Sequence, residues 1–517
     1  MTVQTQTADA AALEPAAIPS ADDGIVRAAI WLTLGLLAVR LLTIGEFGLF
    51  LDEAYYWVWS QHLAASYYDH PPLVALMIRA STFLFGDGPF GVRALGAVSI
   101  AVDAMLVYAI GRTLLGSRRA AAWGAIFFNV SILAGIGMIV VPDQPMMVFW
   151  LGALYGVARI ARGGSGAWWL FVGLMVGLTG LAKYTALFLG LGIVLWLVLV
   201  PSQRRWLKSP MPYLGALVAL AVFSPVLVWN AENGWSSFAL QLDRTAYEFE
   251  SLQWRGFVQF LVLLVLMAGP PVFILAATGA VSVLRRGWRL DPGLALLIVT
   301  ALPLPLYLAV HSFSEWIGGH WLAPVLANGA LLAAYGMRHE SRQGFGRIVT
   351  LARRTAVPVG LAVATLFAVL FSQNVISLGR DLDVTARFRG WEEFAADADR
   401  IRREAGAAYF VAADYGTVSW LRYNLRESVP VYQVGEWERW SELTPPDPSL
   451  AAETALYVGR YGQSYERKVA ESYFADVGEA NYVARPIRGD WVETSPAFLV
   501  KAPLPTASPL FATAAAE

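Results

Sequence analysis

Gly48-Leu49-Phe50-Leu51-Asp52-Glu53-Ala54-Tyr55-Tyr56-Trp57, then Tyr67-Tyr68-Asp69-His70-Pro71-Pro72-Leu73, follows the first long apolar segment of the chain. This stretch sets three carboxylates, a histidine and a belt of aromatic rings at a membrane edge. A loop that only joined two spanning helices needs none of these groups, and functional residues concentrate on such connections. It reads as the active-site loop of a membrane enzyme.

The surrounding chain supports that setting. Of 517 residues, 57% are hydrophobic and only 15% charged, a balance that points to repeated membrane spans. The formal net charge of −1 gives no electrostatic footprint for nucleic acid. With no cysteine, disulfides and thiolate metal sites are excluded. Residues 1–24 lack a basic leader and read as a disordered cytoplasmic tail.

Apolar segments recur near 25–44, 90–110, 120–138, 145–161, 167–181, 184–200, 212–229, 257–284, 293–310, 320–337 and 356–372. By the criterion of roughly 20 residues per span, the sequence predicts about eleven transmembrane helices. Arginine and lysine mark every second connection, from Arg112, Arg118 and Arg119 to Arg338, Arg342 and Arg347. The positive-inside rule makes those connections and the N-terminus cytoplasmic. The connections between them, which carry Asp52, Glu53, Asp69, His70, Asp143, Lys183 and Glu315, then face outside. Residues 25–373 form the membrane domain. Residues 374–517 lose the long apolar runs and gain charge. There Trp391–Glu404 reads as an amphipathic helix, and Ala407–Ala412, Val429–Val434 and Thr454–Val458 as buried strands. The fold class expected is a polytopic α-helical membrane protein with a small extracytoplasmic α/β domain, placed in the inner or plasma membrane. The stretch from Ala502 onward reads as loose.

Several residues can carry chemistry, each with a plain structural alternative. Asp52 and Glu53 are adjacent, so their side chains diverge and cannot face one target equally. A carboxylate at a partly dehydrated edge gains basicity, whereas an acid in the first turn of a helix also serves as a cap. Tyr55, Tyr56, Trp57 and Trp59 suit the headgroup level. Asp69 and His70 could ligate a divalent metal, although two ligands do not make a site and two prolines also fix a turn there. Asp143 either faces the first loop or starts the fourth segment. Lys183, beside Tyr184, and Arg93 each snorkel to the interface or hold a phosphate. Arg79 is a weaker third cation, and Asp103 lies inside the second segment, where an acid is expensive.

In order along the chain, Phe50-Leu51-Asp52-Glu53-Ala54-Tyr55-Tyr56, Tyr67-Tyr68-Asp69-His70-Pro71-Pro72, Pro142-Asp143-Gln144-Pro145, Gly180-Leu181-Ala182-Lys183-Tyr184-Thr185, Trp229-Asn230…Asn233-Gly234-Trp235 and His320-Trp321-Leu322-Ala323-Pro324 form a pattern. It resembles bacterial family 39 glycosyltransferases, relatives of protein O-mannosyltransferases and of the lipid A aminoarabinose transferase, over roughly residues 25–340. The resemblance implies a GT-C fold and a polyprenyl-phosphate sugar donor. It implies an acceptor hydroxyl on a lipid, glycan or protein, and inversion at the sugar carbon. It makes Asp52 the base, Glu53 its acidic neighbour near the acceptor and Asp143 the second-loop aspartate. Asp69 stands where some relatives have a metal-binding acid. Lys183 and Arg93 are the expected phosphate cations, with Tyr184, His320 and Trp321 lining the substrate. Where relatives often carry a lysine in the late outer loop, this chain has Glu315-Trp316-Ile317-Gly318-Gly319-His320. A transporter or flippase of lipid-linked sugars is the alternative function, but such proteins keep polar sites near the midplane and often show internal repeats.

The charge alternation predicts sidedness. The chain has no cysteine, so single cysteines report cleanly: one near residue 415 is expected to react with an impermeant reagent on spheroplasts, and one near residue 345 only after lysis. The reverse pattern sinks the orientation.

Overall fold

The computed structural model describes residues 21–131, 137–244, 253–338, 346–372, 383–488 and 491–507. Residues 1–20 and 508–517, on which most of the two tail expectations falls, lie outside it, whereas residues 21–24 of the expected disordered tail already form the start of α1.

Helix α1 (Ala21–Thr43) is followed by α2 (Leu51–Gln61) and α3 (Leu73–Phe85), both within the first predicted outer loop. Then come α4 (Pro89–Leu115), α5 (Arg118–Asn129), α6 (Asp143–Ala161), α7 (Trp168–Ala182), α8 (Ala186–Leu199) and α9 (Met211–Glu232). The membrane part continues through α10 (Ser236–Asp243), α11 (Trp254–Ala268), α12 (Pro270–Arg285), α13 (Pro292–Val299), α14 (Pro303–His311), α15 (Ala323–Arg338) and α16 (Gly346–Ser372). Every one of the expected apolar segments contains helix, and the protein is a multi-pass helical membrane protein.

The helices differ in length, with shorter apolar helices such as Leu73–Phe85 and Trp168–Ala182 beside the long ones. Among the described residues, five helices are long and apolar enough to cross a bilayer, or seven if each of two bent pairs counts as one. The segment 257–284 is interrupted where Gly269, at φ 79°, meets Pro270 and Pro271, and the chain turns by 96°. Proline removes the backbone donor and glycine takes the left-handed turn, so the helix cannot continue. Likewise α8 turns by 108° into the short basic 3-10 segment Pro201–Lys208. Small residues let helices approach closely: a Cβ on Gly173 of α7 would lie 2.0 Å from the Gly215 carbonyl oxygen of α9.

What the first loop does with its backbone decides the site. Glu53 Oε2 accepts from the Phe50 N–H at 2.9 Å and so opens α2. Its Oε1 accepts from the Val140 N–H at 2.9 Å. Arg93, in the second turn of α4, donates to both oxygens at 2.7 and 2.6 Å. The remaining Arg93 donors serve the carbonyls of Ile44, Phe47 and Gly48 at 2.8, 2.9 and 2.7 Å. Both side chains are at most 1% exposed. One buried pair therefore ties the end of α1, the start of α2, α4 and the loop before α6.

The C-terminal part contains α17 (Trp391–Glu404), β1 (Tyr409–Ala412), α18 (Tyr415–Asn424), β2 (Val431–Gln433), β3 (Ala455–Val458), α19 (Gln463–Tyr473), β4 (Phe474–Arg488) and β5 (Trp491–Pro503). The sheet order is β2-β1-β3-β5-β4, with β1 parallel to β2 and β3, and β5 antiparallel to β3 and β4. The three strands expected from sequence form its parallel half, with β2 at the edge; β1 and β3 are fully apolar and buried, as parallel strands require. The long β4–β5 hairpin is additional, and β5 runs into the stretch expected to be loose.

This domain does not hang free. Leu49, Leu51, Tyr55 and Val58 share one buried core with Phe394, Val418, Leu421 and Val431. The Trp420 indole donates to the Leu49 carbonyl at 3.3 Å. A Cβ on Gly48 would come within 2.4 Å of the Phe388 carbonyl oxygen, so only glycine fits that contact.

Breaking a buried ion pair leaves an uncompensated charge and costs roughly 3–5 kcal/mol. Arg93→Met is therefore expected to lower the thermal unfolding midpoint of purified protein far more than Arg79→Met, since Arg79 makes only an exposed bond to Gln61 at 3.1 Å. Equal midpoints for the two variants would overturn the structural role of the pair.

Candidate active site

Asp52 sits in the first turn of α2, where the helix dipole favours its charge. Its Oδ1 accepts a hydrogen bond from the Tyr415 phenol of α18 at 3.0 Å. Oδ2 has no hydrogen-bond partner among the described residues. Burial pushes the Asp52 carboxyl up to about 6; the Tyr415 bond opposes this, Asp69 and Glu53 add to it, and Arg460 offsets part. Such a carboxylate is ionised near neutrality and basic enough to accept a proton.

Asp69 faces the same region but is tied differently. Arg439 of the C-terminal domain donates to its Oδ2, as does the Tyr55 phenol at 3.1 Å, and Arg244 donates to Oδ1 at 2.8 Å. Burial opposes ionisation, but the guanidinium groups of Arg439 and Arg244 outweigh it and hold this carboxyl below its ordinary value. His70 is half-buried, with its Nδ1 enclosed and unpartnered among the described residues. Burial, reinforced by Lys183, pushes it down to about 3, so it is a neutral imidazole.

A second cluster lies at the start of α6 and the end of α7. Lys183 Nζ donates to Asp143 Oδ1 and Oδ2 at 3.0 and 2.8 Å. His320 Nε2 stands 3.9 Å from Asp143 Oδ2, and the Trp321 ring centre is 5.8 Å from Nζ. Tyr184 meets Ser237 of α10 at 2.7 Å and Ser66 of the first loop at 3.5 Å. The motif around Asn230 explains why α10 is there. Gly234 and Trp235 both take left-handed φ values, of 62° and 60°, and the Trp235 N–H returns to the Asn230 carbonyl at 2.7 Å. This sharp turn carries Arg244 towards Asp69. Tyr56 and His70 link the clusters: the phenol of Tyr56 is in the field of Asp52, Asp69 and Asp143, and the imidazole in that of Lys183, Asp69 and Asp143.

Two sequence expectations change. Arg93 is not placed to hold a donor phosphate, because Glu53 and three carbonyls take its donors. Glu53 does not face an acceptor, because both its oxygens are enclosed. The metal option for Asp69 and His70 finds no group of three or more His, Cys, Asp or Glu placed to hold an ion among the described residues. Tyr415, Arg439, Arg244 and Arg460 were not anticipated. Tyr415 and Arg439 come from a domain without a recognisable motif and lie 363 and 370 residues from their partners.

Comparison with known proteins places this arrangement. Residues 69–229 match the family described as dolichyl-phosphate-mannose-protein mannosyltransferase. The lipid A galacturonosyltransferase RgtD of Rhizobium johnstonii is 25% identical over 407 residues, covering 78% of this chain and 83% of its own. Over these stretches the chain is similar to membrane glycosyltransferases that act on lipid-linked sugars. The transferase is also 28% identical over 330 residues to the undecaprenyl phosphate-alpha-4-amino-4-deoxy-L-arabinose arabinosyl transferase of Pseudomonas aeruginosa, covering 61% of this chain and 58% of that one. Its fold matches that of ArnT from Cupriavidus metallidurans, with a TM-score of 0.63, 15% identity, and coverage of 93% of this chain and 99% of that one. The same protein bound to undecaprenyl phosphate gives a TM-score of 0.62.

Because Arg244 and Arg439 hold opposite oxygens of Asp69, removing them should be non-additive. Each single change to methionine is expected to cost about 1.5–3 kcal/mol, the worth of a charge-assisted hydrogen bond. The double change should cost more than the sum, since Asp69 then has no cation. Additive costs in chemical unfolding would mean that the two arginines act independently.

Proposed function

We propose that this transferase moves a sugar from a polyprenyl-phosphate donor to a hydroxyl of lipid A at the outer face of the membrane. The observation that carries the reading is Asp52: a basic carboxylate with one oxygen held by Tyr415 and the other without a hydrogen-bond partner among the described residues. The donor class is supported by the relatives' names and by the undecaprenyl phosphate bound to the ArnT fold. The acceptor class rests on RgtD, over most of both chains.

In this reading the acceptor hydroxyl passes its proton to Asp52 Oδ2 and its oxygen attacks the sugar C1. The bond from C1 to the lipid phosphate breaks on the opposite side, giving inversion. An ammonium has three donors, and Asp143 occupies two of those on Lys183. The third is available to a phosphate oxygen, with His320 and Trp321 beside it. Arg244, 45% exposed, replaces Arg93 as the second cation. Phosphate is already a good leaving group, so no acid is required.

Asp52→Asn is expected to lower turnover by about 10²-fold or more while leaving donor affinity unchanged, by the usual worth of a general base. In the parent, kcat/KM should fall as pH drops through about 6, because protonation removes the base. Lys183→Met should weaken donor binding instead. Normal turnover by Asp52→Asn, with Asp143→Asn inactive, would put the base in the second cluster.

A further inference from the structure

We infer that Tyr415 is a positioning residue of the transfer reaction: from the C-terminal domain it holds Asp52 Oδ1, so that Oδ2 is the oxygen presented to the acceptor. This rests on the proposed role of Asp52 as base.

The geometry around Tyr415 is built for one orientation. It is the first residue of α18, and the turn before it is fixed by Asp414, whose Oδ1 accepts from the Thr417 N–H at 3.0 Å and lies 3.4 Å from Arg460 Nη1. A Cβ on Gly416 would come within 2.4 Å of Leu51 Cδ1, so the start of α18 lies directly against the first turn of α2. The Tyr415 ring packs 5.0 Å from the Tyr55 ring, and the Arg439 guanidinium sits 5.1 Å from its centre. Ring, helix start and neighbouring arginine leave the phenol aimed at Asp52.

A tyrosine in such a place could merely satisfy its own hydroxyl. The two roles differ in what they do to the acid. A hydrogen bond donated to a carboxylate favours the ionised form, so losing it must raise the pKa of Asp52. Burial of the Tyr415 phenol, with Asp52 beside it, pushes its own ionisation well up, so it remains a donor throughout the working range. The charged and titratable groups acting on Asp52 besides Tyr415 are Asp69 and Glu53, which raise it, and Arg460, which lowers it; Tyr56 also lies in its field. None of these is removed by changing Tyr415 to phenylalanine, which keeps the ring and its packing.

The experiment is the pH profile of single-turnover transfer from polyprenyl-phosphate sugar by the full-length purified enzyme. For Tyr415→Phe the acid limb is expected to move up by about one pH unit, the effect of losing a charge-assisted hydrogen bond. Near pH 6 the loss should then be several-fold larger than near pH 8, with donor affinity unchanged. If Tyr415→Phe does not fold, 3-fluorotyrosine introduced at position 415 preserves the shape and makes the phenol a better donor. The limb should then move below the parental value. A limb that stays in place in a folded variant, whatever the change in thermal stability, overturns the inference and leaves Tyr415 a packing residue. Asp52→Asn separates this from failure of the underlying reading. If that variant turns over normally, Asp52 is not the base. If it is inactive while the limb ignores Tyr415, only the role of Tyr415 falls.

Discussion

The Glu53–Arg93 pair is the constraint on which the site depends. Residues 44–53 cross from a membrane helix into a buried helix start, and that turn exposes carbonyls of Ile44, Phe47 and Gly48 with no ladder to join. Buried peptide groups must be paired. Arg93 pairs all three with one planar fork, at 2.7–2.9 Å, and Glu53 neutralises it while capping α2 and fixing Val140. Such a pair is weak evidence for stability in itself, since burying two charges is costly. Its value here is geometric: it sets where Asp52, the residue before it, can point.

The adjacency of Asp52 and Glu53 then has a physical meaning. On a helix neighbouring side chains diverge by ~100°. With Glu53 turned inward and held by four hydrogen bonds, Asp52 is turned towards Tyr415 of the C-terminal domain. The same logic separates the cations. Arg93 is spent on the backbone, Arg439 and Arg244 on Asp69, and Lys183 on Asp143 with one donor in reserve.

The centre of the fold was legible in the sequence because it is written locally. Density of acids and aromatics marked the first loop, and apolar runs marked the helices. Continuous apolar composition marked β1 and β3. What was lost was whatever depends on partners far along the chain or on helix length. An arginine at the start of a helix reads the same whether it snorkels or is sealed inside, so the pairing of Arg93 with Glu53 had no local signal. Residues 257–284 are apolar throughout, which hid the break that Gly269, Pro270 and Pro271 impose. Strands β4 and β5 contain Pro486 and Pro496 and much polar surface, so they lacked a buried-strand signature; β4 is an edge strand, where proline is tolerated.

The C-terminal domain shows why position along the chain is a poor guide to a site. A carboxylate on the first loop, left to water, would keep an ordinary acidity and make a poor base. Covering it with α18 removes water and raises its basicity, but an uncompensated buried carboxylate would simply protonate and lose the function. One phenolic donor is an intermediate answer: it stabilises the charge partly, without the full neutralisation that Arg439 and Arg244 impose on Asp69. The two aspartates of one loop thus receive opposite treatment from one covering domain. Asp69 is locked as an ion-pair anchor, and Asp52 is left near neutrality, where the proposed mechanism has it take a proton.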